Sequence, residues 1–132
     1  MDTEQQLKIS KSIFLVPIVF VLVIWILYAI EITFGYNFNT YGVYPRNLVG
    51  LRGVFLTHFI HSNTNHLFNN SIPLFVLLSS LFYFYRTIAY KVLLYGALWS
   101  GLLTWTIARE SYHIGASGIV YVLFSFVFLV GL

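Results

Sequence analysis

Ser117 sits inside an apolar run, with Gly115 and Gly118 beside it in Ile114-Gly115-Ala116-Ser117-Gly118-Ile119, and His61, His66 and Asn70 stand at the mouth of another. Polar groups are expensive in hydrocarbon, so several at one membrane depth point to a functional site. A serine hydroxyl becomes a nucleophile only beside a positioned base, and acyl transfer also needs donors aimed at the developing oxyanion. Gly115 and Gly118 leave the backbone uncrowded, so that a scissile peptide could approach the Ser117 N–H; His66 and Asn70 can both donate hydrogen bonds.

Each group also has a plainer reading. A serine in a helix can bond back to a carbonyl one turn earlier. His66 and Asn70 can cap a helix or bond between helices, and glycines near a helix start are usually packing features. His58, His61 and His66 with Asn70 could be taken for a metal cluster. However, His61 and His66 are five residues apart rather than four, and no carboxylate is near; metal sites favour three or four strong ligands. No metal and no cofactor is therefore expected. His113 reads as an interfacial histidine.

The elements that must position these groups are apolar. Of 132 residues, 59% are hydrophobic, 20% aromatic and only 8% charged, against about 25% charged in an ordinary soluble domain. So little charge cannot coat a globular surface, and lipid is the natural solvent. The net charge of +3 is scattered between apolar runs with no basic stripe, which argues against nucleic acid as a partner. The absence of cysteine removes disulfides, thiolate chemistry and cysteine-based metal sites.

Residues 13–31 form a first candidate span, long enough to cross a bilayer, with Pro17 in its first turn or two. It lacks the small-residue cleavage site of a signal peptide. Residues 32–60 mix turn formers with Phe34, Tyr36, Phe38, Tyr41 and Tyr44. Such rings prefer the headgroup level, and this stretch reads as a folded interfacial loop with short helical pieces over 48–59. Further spans are expected over 66–85, 92–108 and 114–132. Pro73 predicts a kink or a freed carbonyl in the second, and Gly96/Ser100 with Ala97/Gly101 allow close helix contact in the third.

With the N-terminus inside, Lys8, Lys11, Arg86 and Lys91 are cytoplasmic, while Arg46, Arg52 and Arg109 are outside. Spans two and four then run the same way. At about 1.5 Å per residue, Asn70 lies roughly 6 Å below His66 on one face, and Ser117 lies roughly 5 Å into its own span. The three groups fall in one layer near the outer face, whichever way the bundle is inserted.

The pattern His61-x4-His66-x3-Asn70 before Gly115-x-Ser117-Gly118 resembles the rhomboid family of intramembrane serine proteases. The stretch His66-Leu67-Phe68-Asn69-Asn70 and Tyr121, one turn after the serine, fit as well. Gly-x-Ser-Gly is not the Gly-x-Ser-x-Gly elbow of α/β-hydrolases, which needs a strand-to-helix turn. The resemblance runs from the long first loop to Leu132. It implies Ser117 as nucleophile, and His66 and Asn70 with the Ser117 N–H as oxyanion donors. It further implies His61 in a polar cavity supplying water, and Tyr121 packed on the base histidine. The family cleaves transmembrane proteins with a Ser–His dyad.

Its base lies on a sixth span, and none of the four histidines here occupies that position. The nearest candidate to the family's first-loop Trp-Arg is Leu51-Arg52, so that motif is not carried over. The expected architecture is an all-α polytopic membrane bundle. Four spans are visible of six, in one incomplete domain over 1–132 that needs a further segment or a complementing chain. The expected location is the bacterial cell membrane. The rival class is a non-catalytic rhomboid-like protein that binds membrane helices.

Overall fold

The computed structural model describes residues 2–131, without the side chains of residues 7–10. The expected inner position of the Lys8 side chain and the end of the last span at Leu132 therefore lie outside the described residues. The fold is all-helical, with no strand among the described residues.

Helix α1 runs over Thr3–Phe34. It begins ten residues before the expected span because Gln5, Gln6, Leu7, Lys8 and Lys11 favour helix and no Gly or Pro interrupts them. Pro17 consequently sits about four turns in, not in the first turns, and its ring is fully buried. The helix stops at Gly35, whose φ of 71° is the left-handed cap that glycine adopts without strain.

The long loop is folded. It contains short 3₁₀ turns at Asn39–Tyr41, Val49–Arg52 and Thr57–Phe59 and the single-turn helix α2, Gly53–Leu56. Helix α3 spans Thr64–Phe84 and runs on through Pro73 as one helix. Asn63 caps it by accepting the His66 N–H at 2.8 Å, which occupies one of the orphan donors of a helix start. Helices α4, Ala89–Ile107, and α5, Ser117–Gly131, complete the chain. The fourth apolar run thus becomes helical at Ser117 rather than at Ile114. The extended stretch before it pairs with the loop, where Val43 and His113 form an isolated antiparallel bridge.

Helix α3 packs between α1 and α5, and α5 lies between α3 and α4. Leu67, Leu74, Leu78 and Leu81 make the buried stripe of α3, facing Ile24 and Phe20 of α1 and Ile119 and Leu123 of α5. The Trp25 indole donates to Ser71 Oγ at 2.9 Å, tying α1 to α3. On α4 the small residues serve two neighbours: a side chain at Gly96 would strike Val122 of α5, and one at Gly101 would strike the Val54 backbone of α2. The outward faces are apolar too, with Leu15, Leu22, Ile26, Ile72, Val76 and Leu103 exposed. Helices α1 and α3 are long and apolar enough to cross a membrane.

Candidate active site

Ser117 is held by the turn that precedes it. The Gly115 N–H donates to the Thr57 carbonyl at 2.9 Å, and Thr57 Oγ1 donates to the His113 carbonyl at 2.7 Å. Gly115 then takes φ 112°, a conformation open to glycine and strained for any other residue. The His66 ring lies against it: a Cβ built there would stand 2.5 Å from His66 Cε1 and 2.8 Å from Nε2. The next N–H, that of fully buried Ala116, donates to His61 Nε2 at 3.2 Å. The Ala116 carbonyl accepts the Val120 N–H and opens α5.

Ser117 is therefore the first residue of α5, not a residue a few positions inside it. No helical turn precedes it, so the reading of a serine bonded back to an earlier carbonyl falls away. Among the described residues nothing hydrogen-bonds its hydroxyl. The backbone N–H groups at a helix start have no intrahelical partner, and the helix dipole favours negative charge there.

His66 and Asn70 lie one turn apart on α3, at its end nearest this turn. Asn70 is only 7% exposed, yet among the described residues its Nδ2 has no acceptor. The His61 ring meets the His66 ring edge to face at 5.1 Å. His61 also borders a polar cavity of about 280 Å³ with Tyr28, Glu31, Asn37, Asn39 and Ser62. Burial, reinforced by the nearby His66, lowers the His61 pKa to about 4. It is thus neutral at pH 7, with Nε2 as acceptor and the proton on Nδ1, which faces the Phe59 carbonyl without a well-aligned bond.

A second cavity, about 210 Å³, opens beside Ser117, between Thr57, His58, Ser100, Thr104, His113 and Tyr121. Tyr121 is 72% exposed at its rim. Gly118 lets α5 approach Ser100, whose Oγ would be 3.4 Å from a Cβ there. His113 also borders this cavity. Its backbone bridges Val43, and its ring Nε2 donates to the Arg109 carbonyl at 2.9 Å. His58 donates from Nε2 to the Ala97 carbonyl at 2.9 Å, and burial lowers its pKa, opposed by that bond. Both rings are engaged by backbone carbonyls, and neither bonds Ser117. Among the described residues no three His, Asp or Glu side chains converge as metal ligands.

Sequence reasoning passed over Thr57 and Asn63. Asn63 could have been found as an N-cap three residues before His66. Thr57 carries no local signal, because its two partners are more than fifty positions away.

The chain is 31% identical over 121 residues, 86% of its length, to uncharacterized proteins of Mycobacterium bovis and Mycobacterium tuberculosis. It spans about half the length of these curated relatives, 50%. No family model matches the chain, and no solved structure matches it.

Proposed function

We propose that this chain is the N-terminal part of a rhomboid-type intramembrane serine peptidase, with Ser117 as nucleophile and its base histidine supplied from outside the 132 residues. All four long helices cross the bilayer in this reading, with the N-terminus cytoplasmic and the site near the outer face of a bacterial cell membrane. The observation that carries it is the unpartnered Asn70 Nδ2, buried one turn from His66, whose ring rests on Gly115 two residues before a helix-initiating serine. An orphaned buried donor costs about 1–3 kcal/mol, a cost that makes sense where a transient acceptor forms.

Attack by Ser117 Oγ on a substrate carbonyl, with its proton passing to the external base, places the negative charge on the carbonyl oxygen. The Ser117 N–H, His66 and Asn70 then donate to that oxygen. Collapse of the tetrahedral intermediate expels the amine, which takes the proton from the base, and water releases the acyl-enzyme. The polar cavity beside His61 supplies that water, and the cavity under Tyr121 receives a small substrate side chain. The substrate is a membrane-spanning protein whose helix unwinds locally.

The test is a fluorophosphonate probe applied to the longer protein in membranes, together with cleavage of a transmembrane reporter. Wild type labels and cleaves, Ser117→Ala does neither, and His113→Ala retains most activity. Equal loss from Ser117→Ala and His113→Ala rejects the assignment. Absence of labelling with intact membrane insertion favours the rival reading, a non-catalytic binder of membrane helices.

A further inference from the structure

An apolar cleft of about 430 Å³ lies between α1 and the first loop, walled by Val23 and Leu27 on one side and Phe38, Tyr41, Leu56 and Phe59 on the other. Its position in depth can be read from the rings above it. Phe34, Tyr36, Phe38 and Tyr41 follow one another with centroids 5.9, 6.0 and 6.3 Å apart, a belt of the kind that settles at headgroup level. From Phe34 the helix descends about 16 Å to Val23 at 1.5 Å per residue. The cleft thus starts at the belt, two of whose rings wall it, and follows α1 down to Val23.

A cation sits on one of its wall residues, Tyr41. The Arg52 guanidinium stacks 4.4 Å above the Tyr41 ring, and Nη2 donates to the Thr40 carbonyl at 3.2 Å. Among the described residues no carboxylate pairs with it, whereas Arg46 pairs with Glu110. The nearest acid on α1, Glu31, is occupied by the Phe38 N–H and borders the polar cavity of His61. The remaining guanidinium donors are free for an anion, and a planar fork suits phosphate.

We propose that this cleft is a binding site for one anionic phospholipid, with an acyl chain between α1 and the first loop and the phosphate on Arg52. The site rests on the membrane placement proposed above and is independent of the peptidase chemistry.

The full chain is extracted from membranes in mild detergent and studied by native mass spectrometry. Phosphatidylglycerol and phosphatidylcholine with identical tails are the probes. Wild type retains one lipid per chain and prefers phosphatidylglycerol about fivefold, the effect of one basic residue at a membrane surface. Arg52→Gln abolishes the preference, Leu27→Trp reduces retention of both lipids by filling the cleft, and Arg86→Gln behaves as wild type. Millimolar inorganic phosphate leaves retention unchanged. Equal retention of the two lipids by wild type, an unchanged preference in Arg52→Gln, or the same loss in Arg86→Gln overturns the site. A chain recovered outside the membrane fraction overturns the membrane placement instead, so the two failures are distinguishable.

Discussion

Asn70 combines two properties that rarely coexist, burial and an unpartnered amide donor. A residue kept for stability would show the opposite. Replacing it by Leu should hold or raise the unfolding midpoint, because an orphaned buried donor is exchanged for apolar volume. Under the proposed peptidase reading, the same change should lower turnover by roughly 10²–10³, as for loss of one oxyanion donor. A thermal melt alongside a cleavage assay checks both; a clear loss of stability would mean that Asn70 has a partner it holds in place. His61 gives a pH prediction. Its folded pKa, near 4, is depressed below the ordinary histidine value of about 6.5. Its neutral form therefore contributes stability that is fully present above about pH 6.5 and is lost as pH falls toward 4. His58 acts in the same direction. Melting midpoints in detergent should decline over that window, and His61→Gln should flatten the slope. An unchanged slope would show that the Ala116 N–H does not depend on a neutral imidazole.

At the scale of elements, the serine's position depends on a clasp between the first loop and the connection from α4 to α5. Val43 and Thr57 hold His113 and Gly115 by four hydrogen bonds of 2.7–3.0 Å. Arg46 adds bonds from Nη1 to the Thr106 and Ala108 carbonyls, and the Trp105 indole donates to the Asn47 carbonyl. Gly115→Ala should break this element from within. It forces φ 112° on a residue with a side chain and drives a methyl into His66; the strain alone is about 1–3 kcal/mol. Probe labelling should fall with the melting midpoint. Thr57→Val should loosen the clasp by removing one bond while Thr57→Ser restores it. Serine rescue of labelling separates positioning from bulk packing.

For the whole molecule, α3 is the common wall, with α1 on one side and α5 on the other. That arrangement lets two polar sets far apart in the chain share one end of the bundle. The apolar outer faces predict that the chain stays in the membrane pellet through carbonate extraction; release into the supernatant would contradict a spanning bundle.

The apolar runs, the folded first loop with helical turns near 48–59, and the candidate polar set of His61, His66, Asn70 and Ser117 were legible in the residues; of that set the structure brings His61 and His66 against Gly115 and Ala116. The legible features depend on local composition and helical spacing, which act within a few turns. Beyond that reach, the helix start at Ser117, the extended bridge at His113 and the role of Thr57 were decided by tertiary structure. Each rests on a hydrogen bond between segments more than fifty residues apart. The sequence determined which polar groups are present and at what helical spacing, because side-chain type is local. Only the packed loop decided that the serine begins a helix, since backbone N–H groups go to whatever acceptor the fold brings near.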